Sequence, residues 1–124
     1  MLESLLKEQD MKLFIVLGLM LSGAAYGVDG AIGQKSFATN CASCHGPDGK
    51  AQTDIGKAVK ARNLVADEYK QLKDKKKGPT EDDVFNTLKT GVPGTGMASF
   101  AHLPETERKA LAKYVISLRK GAKK

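Results

Sequence analysis

The stretch Cys41-Ala42-Ser43-Cys44-His45 constrains this chain more than any other. Two thiols separated by two residues, with an imidazole directly after the second, have the C-x-x-C-H spacing of covalent haem attachment. In that chemistry each thiol adds across one haem vinyl group, and the gap spaces the sulfurs for two vinyls on one porphyrin edge. His45 follows closely enough for its ring to turn under the macrocycle and bind iron. Three other readings use the same residues. A thioredoxin-like C-x-x-C needs a βαβ context. A structural zinc site needs four Cys/His ligands, and here it would consume both cysteines and both histidines, Cys41, Cys44, His45 and His102. A plain disulfide between Cys41 and Cys44 would close a very tight loop and leave the adjacent imidazole without a part.

Haem iron then asks for a sixth ligand. Beyond residue 27 the chain has one methionine, Met97, inside Gly94-Thr-Gly-Met-Ala-Ser-Phe100. A core methionine normally sits on an amphipathic helix face. This one lies in a loop flanked by glycines, where backbone can fold close to a flat ring. His102 is the alternative axial ligand, and an exposed His before the last helix is its plainer reading. A His45/Met97 pair fills both axial positions and raises the reduction potential relative to nitrogen-rich ligation. The pair closes the iron to oxygen or peroxide and leaves outer-sphere electron transfer, so the chain reads as a carrier rather than an enzyme.

With 124 residues the chain fits one domain. So short a chain often needs a staple, and aromatics are scarce: three Tyr, four Phe and no Trp. A buried porphyrin supplies the missing apolar volume. Lys12, the apolar run Leu13-Phe-Ile-Val-Leu-Gly-Leu-Met-Leu21 and the small residues Ser22-Gly-Ala-Ala-Tyr-Gly27 read as a secretory signal peptide over 1–27. Glu3, Glu8 and Asp10 fit its basic region poorly, which makes Met11 a second candidate start. An uncleaved anchor is the competing reading, although a span wants about 20 apolar residues. Residues 28–124 then form the exported domain, in the periplasm, with membrane association only if the segment stays uncleaved. That part carries 18 Lys and Arg against 11 Asp and Glu, a formal charge of +7. Such a surface suits acidic docking faces on redox partner proteins. Nucleic acid is not expected, since the basic residues are not interleaved with aromatics.

The exported part reads as helix and loop, with almost no strand signal. Asp29 is placed to cap a first helix running to about Asn40, with Ile32 and Phe37 as its apolar contacts. Residues 54–61 read as a short helix around Ile55, Ala58 and Val59, and Asp67 to Leu72 as another. Lys73-Asp-Lys-Lys-Lys-Gly-Pro79 reads as a solvated loop. Thr80 with Asp83 three residues on resembles a capping box. Val84, Phe85 and Leu88 share one face of the helix it opens, and Gly91 stops that helix. Pro104 opens the last helix, whose stripe Leu111, Tyr114, Val115 and Leu118 is the clearest in the chain.

These residues together resemble the small monohaem class I cytochromes c over about residues 29–119. The most specific parts are Cys41-x-x-Cys44-His45-Gly46 and Gly94-Thr-Gly-Met97. The resemblance implies an all-α cytochrome c fold, three main helices plus short ones wrapped around one haem c. It also implies that Gly33 and Phe37 on the first helix cross the last helix at Tyr114. Phe37, Leu64, Val84, Leu88, Phe100 and Tyr114 are expected to pack around the haem. Two departures stand out. Members often have Pro directly after the ligand Met, where this chain has Ala98. Many also have Pro before the segment matching Asn63-Leu64, near the carbonyl that orients the proximal His, where this chain has Ala61-Arg62. The implied function is a soluble electron carrier. A fixed electron-transfer subunit of a larger oxidoreductase uses identical chemistry. A haem peroxidase or gas sensor would instead need Met97 off the iron.

Overall fold

A computed structural model describes residues 24–66 and 78–122, except for the side chains of 24–26. Among the described residues five helices follow in chain order: α1 (Ala24–Asn40), α2 (Ala42–His45), α3 (Asp54–Ala58), α4 (Glu81–Thr90) and α5 (Glu105–Ala122). No strand occurs among the described residues, and the all-α expectation holds. Within them, no helix is long and apolar enough to cross a membrane. Most of the 1–27 segment, the Asp67–Leu72 helix and the Lys73–Lys77 run lie outside the described residues.

The long helices α1 and α5 cross, and α4 packs on α5. Their crossing depends on a missing side chain. A β-carbon on Gly33 would collide with the Ala110 carbonyl and stand 2.9 Å from the Tyr114 Cβ. Around this point lie Phe37, Leu88, Leu111 and Val115, all buried. Burying a side chain of that size contributes about 1.5–3 kcal/mol relative to leaving it in water. Phe37 and Tyr114 meet at a ring-centroid distance of 5.3 Å, tilted by 55°, one of the favoured arrangements of aromatic pairs. Cys41, Leu64, Val84, Met97, Phe100, Leu103 and Leu118 complete the shell, half-buried.

Helix ends follow sequence chemistry, with three corrections. At α4 the Thr80 Oγ1 accepts from the Asp83 N–H (3.2 Å) and the Asp83 Oδ2 accepts from the Thr80 N–H (2.8 Å), the reciprocal capping box. Gly91, at φ +65°, ends that helix and donates its N–H to the Thr87 carbonyl. Asp29 does not cap α1. The helix already begins at Ala24, because the small and apolar residues upstream contain no break, and Asp29 sits in its interior, paired with Lys113 at 3.5 Å. Pro104 stands just before α5 and accepts the Arg108 N–H at 3.0 Å. The third correction concerns burial. Ile32, Ile55 and Val59 are exposed, and α3 stops at Ala58, turning over Lys60 at φ +54°. Its buried residue is instead Gly56, wedged against the Cys44 carbonyl.

Candidate functional site

Cys41 lies between α1 and α2. Its N–H reaches the Phe37 carbonyl at 2.9 Å, and its own carbonyl takes the His45 N–H at 2.9 Å. The motif is thus folded as a last turn on the main helix, which points a one-turn loop back at the core. Beneath it, α3 acts as a buttress. Thr53 Oγ1 donates to the Ser43 carbonyl at 2.7 Å and accepts from the Gly56 N–H at 2.9 Å.

Residues 92–100 fold back onto the C-terminal end of α4. The Phe100 N–H bonds to the Leu88 carbonyl (2.7 Å), the Ser99 hydroxyl to the Lys89 carbonyl (2.6 Å), and the Val92 N–H to the Met97 carbonyl (3.0 Å). Gly91 makes the fold-back possible. A β-carbon there would stand 2.8 Å from the Met97 oxygen and the Ser99 nitrogen. The Met97 N–H donates to Thr95 Oγ1 at 3.2 Å.

These segments enclose a half-open cleft lined by Phe37, Cys41, His45, Leu64, Asp83, Val84, Asn86, Thr87, Leu88, Met97 and Val115. Three of the four expected site residues, Cys41, His45 and Met97, therefore share one cavity. Cys44 does not line it, and its sulfur lies 4.0 Å from the Ser43 hydroxyl. Phe100 and Tyr114, expected around the haem, pack against the same core without lining the cleft. Phe85 lies at the contact of α4 with α5. It turns toward α5, with the Arg108 guanidinium 5.0 Å from its centroid. Val115 and the polar face of Asp83, Asn86 and Thr87 were not expected at the cleft. Helical spacing carried the signal, since 83, 84, 87 and 88 are neighbours on one face.

The chemistry of the lining fits a porphyrin. Its walls are largely aliphatic and aromatic, a thiol stands at one place, and an imidazole and a thioether open into the same space. That donor set of nitrogen and sulfur is one that haem iron takes. His45 is prepared for such a role. Its Nδ1 lies 2.9 Å from the Arg62 carbonyl. A carbonyl only accepts, so Nδ1 carries the proton and Nε2 keeps its lone pair. Burial pulls the His45 pKa below the ordinary imidazole value, and the bond to Arg62 opposes this. The lowered pKa favours the neutral ring that a ligand needs. Burial also pushes the Cys41 thiol up to about 11, with the Cys44 thiol adding to the rise. Arg62 thus supplies the acceptor for the His45 ring through its backbone carbonyl.

The competing readings lose their footing in this geometry. Zinc would need His102 beside the other three ligands, but His102 is exposed and leans on the Phe100 ring at 5.8 Å. Cys41 and Cys44 are unbridged.

Comparison with known proteins agrees with the site. The family profile described as Cytochrome c matches residues 30–119. A relative described as Cbb3-type cytochrome c oxidase subunit FixP, from Bradyrhizobium sp. (strain ORS 278), is 35% identical over 92 residues. That alignment covers 74% of this chain and 28% of the relative. A chain in the solved Kuenenia stuttgartiensis reducing HAO-like protein complex Kustc0457/Kustc0458 superposes with a TM-score of 0.61 at 23% identity. The superposition covers 74% of this chain and 43% of that one, so this chain spans less than half of either.

Proposed function

Because the chain belongs to the cytochrome c family, with covalently bound haem c as its cofactor, we propose that it is an exported, soluble single-haem electron carrier whose iron is held by His45 and Met97. Cys41 and Cys44 attach the haem by thioethers. The observation that carries this reading is the shared cleft, in which the neutral His45 ring and the Met97 thioether face one apolar space. The haem supplies a one-electron Fe(III)/Fe(II) couple. The protein's own work is to hold it. Arg62 fixes the His45 tautomer, the α4 fold-back carries Met97, and Phe37, Leu64, Val84, Leu88 and Val115 keep water from the ring. The basic surface favours acidic redox partners and faster encounter at low salt. The segment 1–27 directs the chain to the periplasm.

A visible spectrum of wild type and Met97→Ala, both matured in a host that attaches haem, tests the ligand set. Wild type is expected to show a methionine–ferric iron charge-transfer band that Met97→Ala lacks. Identical spectra remove Met97 from the iron. Acid–acetone treatment should leave the colour with the protein, and complete loss of colour refutes covalent attachment. Rapid binding of cyanide by fresh ferric protein would point to an open iron site instead.

One observation favours a second reading, a fixed electron-transfer subunit. The FixP relative is described as an oxidase subunit, and this chain matches 28% of it. Co-purification of the chain with a large oxidoreductase from its native host decides for the subunit; a single species of monomer size decides for the shuttle.

A further inference from the structure

Arg119 is buried near the end of α5, only 5% exposed. Its Nη1 donates to the Leu64 carbonyl at 3.0 Å and to the Ala66 carbonyl. On its other side stands Gly78, where a β-carbon would lie 3.4 Å from Nη2. A guanidinium is a costly group to bury, at several kcal/mol of desolvation. An apolar side chain of similar length would fill the same space without that cost. The two carbonyls it holds belong to a non-helical strap, residues 62–66, and that strap also carries the oxygen that receives the His45 ring proton.

Other hydrogen bonds also shape the strap. The Leu64 N–H bonds to the Gly49 carbonyl at 2.7 Å, and the Asn63 Oδ1 accepts from Val65 and Ala66 at 3.0 and 3.2 Å. The first ties it to the loop after the motif, and the second shapes it locally. Arg119 adds a tie to α5, a helix that packs on both α1 and α4. Arg62 lies two residues from Leu64, and planar peptide units leave little slack between them.

We propose that Arg119 is a positioning residue for the proximal ligand: by pinning the carbonyls of Leu64 and Ala66 it holds the Arg62 oxygen on the His45 Nδ1–H. The proposal rests on His45 as iron ligand. A firm hydrogen bond at Nδ1 makes the imidazole a stronger donor, which favours the ferric state. Loosening it favours reduction.

The test uses the holoprotein as wild type, Arg119→Met and Arg119→Lys. Three quantities are read: solvent exchange of the His45 Nδ1 proton by NMR, exchange of α1 and α4 backbone amides, and the reduction potential. In Arg119→Met the ring proton should exchange at least about tenfold faster while the amides keep their rates. The potential should move positive, and each tenfold change in the reduction equilibrium is about 59 mV for one electron. Arg119→Lys keeps the charge but cannot fork across two carbonyls, so it should move both readouts the same way by less. Unchanged ring-proton exchange overturns the proposal. A negative shift in Arg119→Met with that exchange unchanged makes Arg119 a charge acting through space. Uniform acceleration of all amides, or no folded holoprotein from either variant, assigns it to general folding and overturns the proposal too. A wild-type spectrum without an iron-bound His45 signature fails the ligand assignment itself, which the Arg119 variants leave untouched.

Discussion

Gly33 and Tyr114 meet where α1 crosses α5, so closely that a β-carbon on Gly33 would stand 2.9 Å from the Tyr114 Cβ. The same atom would overlap the Ala110 carbonyl, which is backbone and cannot swing aside. Gly33→Ala is therefore expected to destabilise by about 1–3 kcal/mol through overpacking, outweighing the roughly 1 kcal/mol that helix propensity returns. Gly30 makes a clean control on the same helix, since nothing lies within 4 Å of its added β-carbon. Gly30→Ala should raise stability by up to about 1 kcal/mol. Denaturant midpoints of the two variants should move in opposite directions.

Leu111 is 1% exposed at the centre of the core. Leu111→Ala should cost about 2–5 kcal/mol, the transfer term plus the cavity it leaves. Guanidinium unfolding of the holoprotein followed by circular dichroism measures it, and a loss well below 1 kcal/mol would mean that the core collapses around the gap.

Gly56 buttresses the motif. An added β-carbon would collide with the Cys44 carbonyl and stand 2.8 Å from Thr53 Oγ1. Gly56→Ala should push the Cys44 backbone off its seat, at a cost of about 1–3 kcal/mol. The expected readout is a lower yield of covalently attached haem per chain, scored by haem staining of denatured protein. Ile55→Ala, one residue away on an exposed side chain, should leave that yield unchanged.

At the start of α5, the Glu105 carboxylate accepts from Lys109 at 2.7 Å. That hydrogen bond, and then the Lys109 charge, hold its pKa below the ordinary carboxylate value. A carboxyl depressed in the folded state stabilises above its unfolded value of 4.5 and loses that contribution as pH falls through the folded value. Thermal melts should show Glu105→Gln slightly less stable than wild type at neutral pH, with the gap closing as pH falls below the ordinary carboxylate range and shrinking in high salt. A gap that persists at low pH would place the effect in packing instead.

The parts of this fold that chemistry fixes locally were readable in the chain. The capping box at Thr80 and Asp83, the stop at Gly91 and the α5 stripe depend on residues within four positions of one another. The C-x-x-C-H motif works in the same way. The misreadings share a different cause. Ile32, Ile55 and Val59 are apolar residues at helical spacing, yet they face outward, because periodicity marks a stripe without saying that anything packs on it. The Arg62 carbonyl and the Arg119 guanidinium escaped notice for the opposite reason. A backbone oxygen has no letter in the sequence, and Arg119 acts on atoms 53 and 55 residues away. Val115 was read as core, and the step it lacked was that the core wall is also the cleft wall.

The acceptor for the His45 ring is a peptide oxygen and not a side-chain group. No change of codon at position 62 can delete it, so the side chain there is exchangeable while the imidazole keeps its partner. What a substitution at that spot must preserve is the path of the main chain.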